Sequence, residues 1–253
     1  MFNKLFNSFL LVCFFLSCGY AQADTVLVAV AANFTKPMTE IAAEFEKTTG
    51  HTAKLSFGSS GKFVSQLENG APFDVFLSAD DKSPLKLEQS GLGLASSRFT
   101  YAIGKLVLWS NTAGYVDVQG EVLNNANFKH IALADPKLAP YGAAAIEFLK
   151  NKGLLEKLQP LFVQGENISQ TQEFISTGNA ELGFVALAQV CENGKIVSGS
   201  AWVIPEDLYN PIRQDAILLK SAEAKPAALA LVAYLKSEPA LAIIQKYGYE
   251  LAK

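Results

Sequence analysis

The chain has 253 residues, half of them hydrophobic, and a formal charge of -3 with 21 basic and 24 acidic residues. That is enough apolar material for a well-buried core, and the absence of any basic run argues against a nucleic-acid partner, which needs a clustered basic face. With three cysteines and two histidines far apart, no zinc set of ordinary spacing can be assembled.

The first 23 residues read as a secretory signal: Lys4 supplies a positive start, Phe9 to Leu16 is a continuous apolar run, and Ala21-Gln22-Ala23 is a small-x-small cleavage site. The run is too short for a membrane span, which needs about 18 apolar residues. Cleavage before Asp24 removes Lys4 and leaves 20 basic against 24 acidic residues, a net charge of -4. Lipid attachment at Cys18 is the lesser reading, because Phe15-Leu16-Ser17-Cys18 is an imperfect lipobox. Cys13 and Cys18 leave with the signal, and Cys191 stays without a partner.

From Asp24 short apolar strands alternate with amphipathic helices, which predicts an α/β fold with mainly parallel sheets. Val26 to Ala31 is a strand candidate, followed by Ala32-Asn33-Phe34-Thr35 and a helix. In that helix Met38, Ile41, Ala42 and Phe45 fall at i, i+3, i+4 and i+7, and Gly50 ends it. The strand Ala53 to Phe57 repeats the plan, running through Gly58-Ser59-Ser60-Gly61-Lys62 into a helix with Phe63, Val64 and Leu67. The next strand runs from Pro72 to Asp80, with Asp74 as a structural hydrogen-bond acceptor. Tyr101 to Trp109 reads as one uninterrupted strand crossing to a second lobe.

The second lobe restarts the alternation. Ile131 to Ala134 leads through Asp135 to Gly142 into a helix with Ala145, Ile146 and Leu149. Leu161 to Val163 leads through Gly165-Glu166-Asn167-Ile168 into another helix, and the strand Leu182 to Ala186 follows. Tyr209 to Leu219 is a return crossover, and two helices close the chain after Pro226 and at Ser237-Glu238-Pro239. The expected division is therefore a signal peptide at 1–23, a discontinuous first lobe at 24–105 plus 211–253, and a second lobe at 106–210. Lobes that exchange strands twice enclose a cleft, and ligands in open α/β sheets sit beyond the carboxyl ends of the strands.

Four loops at such ends precede helices. Helix starts leave N–H groups unpaired and carry partial positive charge, small residues let a backbone come close, and serines add hydroxyl donors. An isolated Ser or Asn there is more often just a cap, but the recurrence points to one small anion held between the loops. Neutral donors without an accepting carboxylate suit a fully ionised dianion such as molybdate, tungstate or sulfate better than phosphate. Lys36 and Lys62 are expected to be solvated, and Glu166 is the one acid at a helix start.

Segments throughout the mature chain resemble the periplasmic molybdate-binding proteins of ABC importers: Val30-Ala31-Ala32-Asn33-Phe34, Phe57 to Gly61, Ala71 to Asp80, Asp135-Pro136 with Pro140-Tyr141-Gly142, and Leu182 to Ala186. Their order and spacing carry the resemblance. It implies a two-lobe periplasmic-binding-protein fold of type II, hinged by two crossover strands, that takes up molybdate or tungstate without a cofactor and docks as a monomer on a membrane permease. By the same resemblance the anion is held by Asn33, Ser60, Tyr141 and Ile168, the last two through backbone N–H, with Ala32 and Ser59 as supporting donors and Ala186 as a further secondary position. Many members have a tyrosine whose hydroxyl reaches the anion where this chain has Ala186; the bulk or hydroxyl of Tyr141 is the expected compensation.

The rival readings are a receptor for sulfate or another tetrahedral oxyanion and, remotely, a serine hydrolase. Gly58-Ser59-Ser60-Gly61 is one residue short of a nucleophile elbow, and only His51 and His130 are available as bases. A phosphate loop fails because Ser56 stands where a glycine is required and Phe63 where a magnesium-binding hydroxyl belongs.

Overall fold

The computed structural model describes residues 23–252, so the signal assigned to 1–23 and the lipid question at Cys18 lie, apart from Ala23, outside the described residues. In chain order the first part comprises β1 (Thr25–Ala31), α1 (Thr35–Thr49), β2 (Thr52–Gly58), α2 (Ser60–Glu68), β3 (Val75–Leu77), α3 (Lys82–Gln89) and β4 (Phe99–Gly104). The middle comprises β5 (Leu106–Ser110), α4 (Val122–Asn125), β6 (Ile131–Ala134), α5 (Pro140–Asn151), α6 (Leu155–Leu158), β7 (Phe162–Gly165), α7 (Ile168–Ser176), β8 (Leu182–Ala186), α8 (Leu187–Val190), β9 (Cys191–Glu192), β10 (Lys195–Ile196) and β11 (Ser200–Val203). The chain then returns through β12 (Ile212–Leu218) to α9 (Pro226–Tyr234) and α10 (Glu238–Lys246).

Two five-stranded sheets result, ordered β2-β1-β3-β12-β4 and β11-β5-β8-β6-β7, with β9 and β10 forming a separate hairpin. β1 runs parallel to β2 and β3, and β6 runs parallel to β7 and β8. The antiparallel pairings belong to strands at the crossovers: β12 with β3 and β4, and β5 with β8 and β11. These strands enter each sheet from the other lobe, opposite to the βαβ units they join.

The expected single strand from Tyr101 to Trp109 is interrupted at Gly104-Lys105, so that β4 lies in the first sheet and β5 in the second. The residues on both sides are largely buried, so only Gly104-Lys105 itself marks the break. A Cβ on Gly104 would stand 2.0 Å from the Tyr141 hydroxyl and 2.5 Å from Gln214 Nε2, so the end of β4 has no room for a side chain.

Each sheet is covered on both faces. On the first, α1, α9 and α10 pack Met38, Ile41, Phe45, Leu231 and Ile244 against β1 and β12, while Phe63, Leu67 and Leu87 cover Phe76 and Ile217 on the other side. On the second, Phe148 and Leu149 of α5 meet Leu133 and Phe184, and Ile175 of α7 meets Trp109 and Val185. A side chain as fully buried as Phe45 contributes about 1.5–3 kcal/mol. This two-sided burial gives the strands their continuous apolar runs, and it points the carboxyl ends of β1, β2, β6 and β7 into the space between the lobes. Among the described residues no single helix is long and apolar enough to cross a membrane.

Candidate functional site

Four helical starts converge on one cavity. A short 3-10 turn (Ala32–Phe34) follows β1 and leads into α1, Ser59 and Ser60 open α2 after β2, Pro140 and Tyr141 open α5 after β6, and Ile168 opens α7 after β7. Together with Ala31, Gly58, Ala79, Ala139 and Asn167 they line a tight cavity of about 10 Å³. No Asp, Glu, Lys, Arg or His is among the residues lining this space. The field there is set by the positive ends of the helices and by hydrogen-bond donors, each helix end favouring an anion by roughly 0.3–1 kcal/mol.

Ser59 is the N-cap residue of α2 in extended conformation, yet its hydroxyl makes no capping bond. It is buried and is the one buried side-chain polar atom among the described residues without a partner. An orphaned hydroxyl costs about 1–3 kcal/mol, so Ser59 fits an acceptor placed in the cavity. Ser60 Oγ accepts the Ala79 N–H at 2.9 Å, which orients it and leaves its own proton for the cavity. Both serines therefore face the site, and Ser59, expected only as support, has the less committed hydroxyl.

Asn33 lines the cavity, but its side chain does not supply the expected donor. Its Nδ2 donates to Gln214 Oε1 and to the Tyr249 hydroxyl, both at 2.8 Å, which uses both amide protons. What Asn33 and Ala32 present to the cavity is the backbone of a helical start. Tyr141 enters the same way. Its hydroxyl, expected as a replacement donor to the anion, instead accepts from Gln214 Nε2 at 3.1 Å, and the residue is buried. Burial pushes the hydroxyls of Tyr101, Tyr141 and Tyr249 well above the ordinary tyrosine range, so all three stay neutral beside the site.

Ile168 is the first residue of α7. The Asn167 side chain caps the helix by accepting from Ser169 N–H at 2.9 Å and Gln170 N–H at 3.0 Å, which leaves the Ile168 N–H to face the cavity. Ala186 does not belong to the site. It is fully buried at the end of β8, does not line the cavity, and its N–H donates to Gln189 Oε1 at 2.9 Å.

The neighbouring charges are engaged elsewhere. Lys62 Nζ pairs with Glu166 Oε1 at 2.7 Å across the interlobe boundary, and Lys36 Nζ donates to Gln189 O at 2.7 Å. Asp74 accepts from Leu27 N–H at 2.7 Å and Lys225 Nζ at 2.8 Å, a structural role. Two further bonds join the lobes at the cavity wall: Gly61 N–H to Leu138 O at 2.9 Å and Ser169 Oγ to Ala32 O at 3.2 Å. His51 stands at the amino end of β2, eight residues and roughly 26 Å of strand from Ser59, and His130 at the amino end of β6. Neither can serve as a base for a serine at the carboxyl ends. Gln214, Tyr249 and Ala79 were not singled out in the sequence, because they reach the site from distant strands and the tail.

Residues 26–250 match the family described as bacterial extracellular solute-binding protein. The chain is 57% identical over 236 residues to a molybdate-binding protein of Azotobacter vinelandii, covering 93% of each chain. It is 53% identical to one of Rhodobacter capsulatus, covering 90% of this chain and 89% of that one. Among solved structures it resembles the Azotobacter vinelandii periplasmic molybdate-binding protein with a TM-score of 0.87 and 45% identity, covering 90% of this chain and all of the other. The chain belongs to the bacterial extracellular solute-binding proteins.

Proposed function

We propose that this protein captures molybdate, and tungstate with it, between its lobes and delivers the anion to the membrane permease of an ABC importer. The observation that carries this reading is the cavity itself: helix starts and two serine hydroxyls line it, no Asp, Glu, Lys, Arg or His does, and the Ser59 hydroxyl has no protein partner. Such a donor set suits a fully ionised tetrahedral oxyanion, since a ligand bearing its own proton would need an acceptor. The molybdate-binding proteins to which the chain is similar support the choice of anion. Ser59, Ser60 and the N–H groups of Ala32, Asn33, Tyr141 and Ile168 are the donors in this reading.

In the same reading residues 24–105 with 211–253 move as one lobe against 106–210, flexing at the two crossovers. The protein works as an exported periplasmic monomer, catalyses nothing, and needs no cofactor beside its anion. The test is isothermal titration of the ligand-free chain beginning at Asp24 with molybdate, tungstate, sulfate and phosphate at one ionic strength. One-to-one binding of the first two, far tighter than of the others, is expected. Preference for sulfate would keep the cavity and overturn the named anion, and no binding by any of the four would overturn the site.

A further inference from the structure

Gln214 lies on β12 where the pairing with β4 slips between Gln214 and Asp215, a local irregularity of the kind that re-aims a side chain near a site. It is fully buried, and groups from three other segments bond to its amide. Oε1 accepts from Asn33 Nδ2 at 2.8 Å and from the Tyr101 hydroxyl at 3.0 Å, and Nε2 donates to the Tyr141 hydroxyl at 3.1 Å. Asn33 and Tyr101 belong to elements on the first sheet, as Gln214 does, whereas Tyr141 opens α5 on the second. Gly104, at the first crossover, has no room for a side chain because this junction fills the space. One amide thus touches the backs of two residues whose main chains line the cavity.

Resting on the oxyanion reading above, we infer that Gln214 is a positioning residue that couples lobe closure to the cavity, seating the Tyr141 hydroxyl only when the start of α5 has arrived beside Asn33. The bonds to Asn33 and Tyr101 lie within one lobe and persist when the lobes part. The bond to Tyr141 spans the lobes and exists only in the closed arrangement. Its effect therefore falls on how long the anion is retained, with no effect on the stability of the open protein.

The test uses the chain from Asp24, which contains every described strand and helix, and measures molybdate release by stopped flow alongside the melting temperature with and without anion. Tyr141→Phe keeps the ring and the backbone N–H; it should speed release about threefold to tenfold, the worth of one ordinary hydrogen bond, and leave the anion-free melting temperature unchanged. Gln214→Leu should release at least as fast, and adding Tyr141→Phe to it should accelerate release no further. Tyr101→Phe, which breaks a bond to the same amide inside one lobe, should lower the melting temperature equally with and without anion. Unchanged release from Tyr141→Phe, additive effects in the double variant, or a loss of stability from Tyr141→Phe that is equal with and without anion would each overturn the inference. If the unmodified chain binds none of the four anions, the oxyanion reading falls and this inference with it; binding by the unmodified chain with unchanged release from Tyr141→Phe overturns the inference alone.

Discussion

The first lobe meets the cavity with the hydroxyls of Ser59 and Ser60 beside the backbone of Ala32 and Asn33, whereas the second meets it through backbone alone, at the starts of α5 and α7, the side chains of Tyr141 and Ile168 being turned into the hinge junction and the core. A hydroxyl is lost by a single substitution that leaves the backbone in place. A backbone donor can be moved only by disturbing whatever holds its helix. The two halves should therefore respond to mutation at different positions: the first at the lining residues themselves, the second at the residues that anchor the helix starts.

The sharpest test of that contrast is Gly142, one residue past Tyr141, where a Cβ would stand 2.1 Å from Ala134 O at the end of β6. Because the obstacle is backbone, Gly142→Ala should push the start of α5 away from the strand. A loss of about 1–3 kcal/mol in stability is expected from overpacking, and with it the largest loss of anion affinity of any single change here, read by chemical denaturation and by titration. In the first lobe Ser60→Ala removes one donor of the proposed site and also strands the Ala79 N–H that Ser60 accepts. It should weaken binding by about 1.5–3 kcal/mol and lower anion-free stability by about 1–3 kcal/mol. Ser59→Ala separates the two effects, since its hydroxyl has no protein partner. Affinity should fall by about 1.5–3 kcal/mol while the anion-free melting temperature stays level or rises. If Ser59→Ala destabilised the anion-free protein as Ser60→Ala does, the orphan hydroxyl would not be a ligand donor.

Much of this arrangement was legible in the residues, for local reasons. Met38, Ile41 and Phe45 repeat at helical spacing and all three are buried under α1, and Ser59-Ser60 lies between a strand and a helix as its composition suggests. The position of Asn33 was also readable, but the use of its side chain was not. The partners that take its amide are 181 and 216 residues away, beyond any local pattern. The break at Gly104-Lys105 was hidden likewise, because two buried half-strands in different sheets read as one apolar run, and only the glycine hints at the Tyr141 hydroxyl packed against it. Ala186 was weighed as a site position on resemblance alone, and its N–H is already taken by Gln189.

Asn167 and Lys62 refine the comparison at smaller scale. Asn167→Ala deletes the cap that holds the first turn of α7, at a cost of about 1 kcal/mol in stability. It should weaken anion binding as well, although the residue lost contributes no side-chain donor in the proposed site. The Lys62–Glu166 pair also spans the lobes, but its side chains are 51% and 45% exposed, so water and salt screen it and its contribution should stay within about 0–1 kcal/mol. Lys62→Ala should therefore speed anion release by less than Tyr141→Phe does, and the difference from the unmodified chain should vanish as salt is raised, because exposed charges are screened within about 8–10 Å at physiological ionic strength. The Tyr141–Gln214 bond is buried and joins neutral groups, so its effect should be the same at low and high salt. Measuring release from both variants across ionic strength thus separates these two contacts from each other. A salt-insensitive effect of Lys62→Ala larger than that of Tyr141→Phe would place retention at the cleft mouth instead of at the hinge.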